Sequence, residues 1–214
     1  MRLSSSRARP RALAISAITA VALVAAVVPA SAHSPVELSS HDVLPWQGPV
    51  ILNGQSPVML FGTLDHPFDE RAAQLHMTAG QEVVVDLAIP NEAPENTLAT
   101  DQLPVVYLIA PDHKVIDITA QLRVPIATET GLKMLLLQAY AAAAESGNYS
   151  LVVVGLTPSR FALATGVEGT AFAGVERGSV ATLDEVNQWY ATPPATDSGP
   201  WWRAWNASPL QPQL

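Results

Sequence analysis

Five short runs, rich in β-branched, aromatic and other apolar residues and bounded by turn formers, constrain this chain more than any other feature. They are Val58 to Leu64, Glu82 to Ile89, Val105 to Ile109, Tyr149 to Val154 and Phe161 to Thr165. Runs of this length and composition form strands, and the Gly, Pro and Asn residues between them supply the turns. The valines at 83, 84 and 85 stand together without polar alternation, which places that strand where both faces of a sheet are covered. Val105 to Ile109, the turn Ala110-Pro111-Asp112-His113 and Val115 to Ile118 read as a hairpin. The expectation is a mostly β protein: a single jelly-roll-like β-sandwich with one or two short helices and a C-terminal aromatic tail.

Two segments read as helix. Leu132 to Ala144 is built from strong helix formers, and Gly147-Asn148 supplies a stop. Its apolar spacing departs from a 3.6-residue period, and the strand after it needs a neighbour. Thr182-Leu183-Asp184-Glu185 is a capping box, with a side-chain acceptor at the N-cap and a glutamate three residues on. It predicts a helix to about Tyr190, ended by Pro193 and Pro194. His33 to Pro57 is turn-rich and fits short extended pieces, and Asn91 to Pro104 reads as a polar loop. These readings divide the chain into a leader (1–32), a sandwich domain (33–181) and a short helix with a Trp-rich extension packed on it (182–214).

The leader carries Arg2, Arg7, Arg9 and Arg11, then an apolar run from Ala12 to Val28, then Ala30-Ser31-Ala32. A basic region, an apolar region and a small-residue end are the parts of a secretory signal peptide. The alternative is an uncleaved anchor, but the apolar run is at the short end of what spans a bilayer. Cleavage after Ala32 leaves a chain with no stable membrane span, secreted or held in the periplasm or cell envelope. Setting the four leader arginines aside, 7 Lys and Arg stand against 19 Asp and Glu, a formal charge of -12. Such a chain lacks the basic surface that nucleic acid requires. With no cysteine anywhere, disulfides, thiolate metal sites and cysteine nucleophiles are excluded.

Over roughly residues 58–165 the pieces resemble the bacterial pre-peptidase C-terminal type of β-sandwich domain. Phe61-Gly62-Thr63-Leu64 is similar to that family's first core strand, and Ala79-Gly80-Gln81-Glu82 with Val83 to Leu87 is similar to its turn and central strand. Ser146-Gly147-Asn148-Tyr149 with Ser150 to Val153 is similar to its closing strand. The resemblance implies a noncatalytic exported module for attachment, folding or substrate association.

Residues that would carry chemistry are few. Cleavage after Ala32 would make His33 the first residue, offering an α-amine and a ring nitrogen to one ion. A second imidazole from His41, His66, His76 or His113, with Asp42 or Asp65 alongside, would complete a copper site like the brace of lytic polysaccharide monooxygenases. The alternative is that these are polar surface histidines. Asp65, Asp69 and Glu70 beside His66 supply carboxylates that would suit calcium only if more oxygens converged, and otherwise form a solvated acidic loop. No Gly-x-Ser-x-Gly elbow and no His-Glu-x-x-His pair occurs. Trp201, Trp202, Arg203 and Trp205 either form an interaction surface for a protein or glycan, or fold back over the sandwich near Val83 to Leu87. The leading expectation is an exported, noncatalytic binding or accessory protein of the envelope or extracellular space. Its rival is a copper carrier or oxidase using His33.

Overall fold

The computed structural model describes residues 33–118 and 122–195. The strand-forming runs appear there as β1 (Ser34–Leu38), β2 (Val50–Ile51), β3 (Val58–Leu64), β4 (Asp69–Met77), β5 (Glu82–Pro90) and β6 (Val105–Ile109). They continue as β7 (Val115–Ile116), β8 (Val124–Ala127), β9 (Lys133–Ala143), β10 (Gly147–Gly155), β11 (Ser159–Thr165) and β12 (Val175–Glu176), followed by α1 (Leu183–Ala191). One sheet has the order β1-β3-β11-β5-β9-β8 and the other β12-β2-β4-β10-β6-β7. Most neighbours are antiparallel, but β1 runs parallel to β3 and β2 parallel to β4, so both sheets are mixed.

The two sheets close on one apolar core, and the period of two along each strand decides what enters it. On β10, Tyr149, Leu151 and Val153 are buried while Ser150, Val152 and Val154 are half-exposed. Leu60, Leu64, Leu87, Ile89, Phe161 and Leu163 meet them from the first sheet. Each such side chain contributes about 1.5–3 kcal/mol by leaving water. The first sheet is covered on its other face as well. Phe61, Ala88, Met134 and Ala162 point outward and form a second cluster with Val186 and Trp189 of α1. On β5, Val83, Val85 and Leu87 enter the core, whereas on the outer face only Ala88 is covered by α1 and Val84 stays half-buried, so the unbroken valine run overstates how far both faces are covered.

The segment expected to be a helix at Leu132 to Ala144 is instead β9, an 11-residue strand. It is hydrogen-bonded along both edges, to β5 and to β8. Helix and strand preferences of Leu, Ala, Gln and Lys differ by less than about 1 kcal/mol per residue. Against that stands a nine-residue ladder with β5, whose edge would otherwise be unpaired. A β-bulge at Leu137, opposite the step from Leu87 to Ala88, interrupts the strand's alternation. It turns both Leu137 and Gln138 to buried positions. Gln138 then crosses to the facing sheet, where its Oε1 accepts the Val106 N–H at 2.8 Å and its amide donates to the Ile118 carbonyl.

The loop between β5 and β6 is not simply polar. It forms two short 3-10 turns, Glu95–Thr97 and Thr100–Gln102, and it buries Glu95 completely. The loop after β11 starts at Gly166, with φ +86°, where a Cβ would lie 2.0 Å from the Ser56 carbonyl oxygen. Only glycine permits both that dihedral and that approach. The Ser56 hydroxyl then pins the loop, donating to the Ala171 carbonyl at 3.1 Å and accepting the Ala173 N–H at 3.2 Å. No helix among the described residues is long and apolar enough to cross a membrane.

Candidate functional site

The capping box forms as its sequence requires. Thr182 Oγ1 accepts the Glu185 N–H at 3.3 Å, and the Glu185 carboxylate accepts the Thr182 N–H at 2.6 Å. These bonds hold the Glu185 carboxyl below the ordinary glutamate range. Just before the cap, the Ala181 N–H donates to the Pro35 carbonyl at 2.8 Å and Val180 bridges to Val36, which ties the start of α1 to β1.

The other end of α1 is anchored by an aromatic and an ionic contact. Trp189 lies against Phe61 with ring centroids 5.2 Å apart, and its indole N–H donates to the Gly62 carbonyl at 3.0 Å. Arg160, at the start of β11, is 1% exposed and pairs with the fully buried Glu95. Its Nε and Nη2 reach the carboxylate at 2.8 and 2.7 Å, and the backbone N–H of Arg160 adds a third bond at 3.0 Å. The same guanidinium donates to the Tyr190 carbonyl and lies 5.9 Å from the Tyr190 ring centre. The Tyr190 phenol donates to the Lys133 carbonyl at 2.8 Å; burial, with the Glu92 charge beside it, pushes its pKa up. Thus α1 is fastened to β1, β3, β9 and β11 together.

Between the first turns of α1 and the β8–β9 turn, the outer face of the first sheet stays uncovered. A groove of ≈ 280 Å³ opens there. Met59, Ala88, Ala162, Ala164 and Leu136 form its floor, Leu183 and Val186 one wall, and residues 126–130 the other. Asp86 stands in this apolar floor, in the middle of β5. Its partners on the neighbouring strands are Ala164 and Ala139, so nothing taller than a methyl group stands beside it in register. Burial pushes the Asp86 carboxyl above the ordinary aspartate range, while the charge of His33 works the other way. His33 and Glu168 also line the groove, with Pro35 and Met134.

Among the described residues, the lining contains no serine or cysteine. The hydroxyls of Thr128 and Thr130 are bonded to each other at 2.9 Å, and Thr128 also accepts the Leu132 N–H at 3.0 Å. Among the described residues, neither threonine hydroxyl of the lining is hydrogen-bonded to a histidine or a carboxylate.

The histidines singled out from the sequence are dispersed. His33 lies before β1, at the groove, whereas His41 follows β1 and His66 follows the parallel β3, at the opposite end of the sandwich. His113 sits in the β6–β7 turn of the second sheet, and His76 is exposed on β4, with Nδ1 2.9 Å from Asn148 Oδ1. Among the described residues, no three His, Asp or Glu side chains stand together as a metal site. The acidic loop has an internal use instead. Asp69 reaches Nη1 of the buried Arg71 at 2.7 Å and Asp65 reaches its Nη2 at 3.3 Å, so two of the three carboxylates neutralise an arginine. Trp201, Trp202, Arg203 and Trp205 lie outside the described residues.

Sequence reasoning passed over Asp86 and the groove. The available signal was a single acidic residue inside an otherwise apolar strand run, EVVVDLAI. No protein-family model matches the chain, and no curated protein matches its sequence.

Proposed function

We propose that this chain is an exported, noncatalytic β-sandwich that binds a ligand in the groove between α1 and the outer face of the first sheet. The groove itself carries the reading: an apolar recess with one half-buried carboxylate and, among the described residues, no hydroxyl bonded to a base. A concave, mostly apolar site with a few placed polar groups is how small ligands are usually held. The basic, apolar and small-residue order of the leader supports export, and the likeness to pre-peptidase C-terminal sandwiches supports an accessory role.

Filling the groove tests the proposal. Ala164 faces it from β11 and is only half-buried, so Ala164→Trp occupies the recess without entering the inter-sheet core. An organic extract of the source cells should raise the melting temperature of the wild type and leave that of Ala164→Trp unchanged. At a ligand concentration of about 100 Kd, the gain is roughly 2.7 kcal/mol, or on the order of 5 °C or more. No shift in the wild type, or an equal shift in both proteins, would overturn the proposal. Export has its own check: the protein recovered outside the cytoplasm should begin at His33, and a full-length cytoplasmic chain would contradict it.

A further inference from the structure

We propose that the ligand of this groove is a small amphipathic organic cation, its ammonium group set against Asp86 and its apolar body lying along the alanine floor toward Val186. This deepens the binding reading above and rests on it. Three observations lead to this class of ligand.

The first is the sign of the lining. Asp86, Glu129 and Glu168 contribute three carboxylates against the one imidazole of His33, and no Lys or Arg lines the groove among the described residues. The chain beyond the leader is itself strongly acidic, so its field draws cations toward the recess and opposes anions.

The second is that the Asp86 carboxylate has no hydrogen-bond donor among the described residues. Its burial outweighs the charge of His33, the one ionic group that acts on it among the described residues. A carboxylate withdrawn from water without a donor costs the folded state free energy, and an apolar residue would suit that strand position better. An ammonium group brings the missing donors and charge together, as a charge-assisted hydrogen bond. A bare metal ion is a poorer match, since among the described residues the carboxylates and the imidazole of the lining do not come together as a set of three ligands.

The third is the shape of the floor. Ala162 pairs with Ala88, and Ala164 with Asp86, in register across β11 and β5. These small residues leave a shallow apolar trough that ends at the carboxylate. An ammonium on an apolar tail fits that sequence of surfaces, whereas a polyvalent hydrophilic cation would leave the trough bare.

Calorimetry with three probes of equal chain length tests the proposal: n-octylammonium, n-octanol and n-octanoate, each below its aggregation concentration. Octylammonium should bind the wild type about tenfold or more tightly than octanol, as expected for a hydrogen bond to a charged group, and octanoate more weakly than either. Asp86→Asn should abolish the preference for octylammonium and leave octanol binding unchanged, with an unaltered β circular dichroism spectrum. Ala164→Trp should abolish binding of all three. Equal binding of octanol and octylammonium by the wild type, or a preference that survives Asp86→Asn, would overturn the cation assignment while leaving the groove as a binding site. Tighter binding of octanoate would overturn its sign. Failure of every probe to bind the wild type would remove the binding reading and this inference with it.

Discussion

Replacing Trp189 with alanine tests whether α1 is part of the folded unit or an appendage to it. The indole is 9% exposed, packs on Phe61 and donates to the Gly62 carbonyl. Trp→Ala substitutions at buried positions cost about 3–5 kcal/mol, which for a domain of this size is roughly 6–20 °C in melting temperature. Trp189→Phe separates the parts of that cost. A phenyl ring keeps most of the contact with Phe61 and loses the N–H donor, so it should cost about 1 kcal/mol, or roughly 2–4 °C. Melting followed by far-UV circular dichroism at one protein concentration measures both. The alanine variant should also respond less to any groove ligand, because Val186, one turn earlier on the same helix, forms the groove wall. If Trp189→Ala melts within about 2 °C of the wild type, the helix is not fastened by this residue and the reasoning fails.

Two further substitutions probe the charges. Glu95→Gln leaves the guanidinium of Arg160 buried without its counter-charge and should cost about 3–5 kcal/mol in chemical denaturation. Asp112→Asn, which breaks the exposed pair with Lys114, should leave the midpoint unchanged; equal effects of the two would contradict the buried pair. Asp86→Asn should melt higher than the wild type at pH 7 to 8, because burial raises the Asp86 pKa and outweighs the opposing charge of His33, so the ionised form is held at a cost. The gap should close as pH falls through the raised value into the ordinary aspartate range, where the wild type is protonated too. A variant less stable than the wild type at neutral pH would refute the cost assigned to Asp86.

How far the sequence was legible differs from element to element, for physical reasons. β3, β5, β6, β10 and β11 were readable because β-branched and apolar residues coincide with nearby turn formers, so local preference and final environment agree. The capping box at Thr182 was readable for the same reason, since its bonds close within four residues. β9 was misread because its composition favours helix, while its longer ladder is to β5, far earlier in the chain. The bulge at Leu137 then erased the alternation that would have marked it as a strand. Arg71 and Arg160 gave no local sign that Asp65, Asp69 and Glu95 would be spent on neutralising them. The groove was the least legible feature. It depends on the register that sets Ala164 and Ala139 beside Asp86, and on a helix almost 100 residues later that walls it, and neither is a local property. Only Asp86 itself, an acid inside a valine-rich strand, stood out from its neighbours.

The account rests on the groove as the place where this protein binds, and backbone amide NMR during titration with n-octylammonium tests that most directly. The amides of Asp86, Ala88, Ala162, Ala164, Leu183 and Val186 should shift together, with one affinity that matches calorimetry. Shifts confined to the outer face of the second sheet, at Gln74, His76 and Tyr107, with the groove amides unmoved, would contradict it.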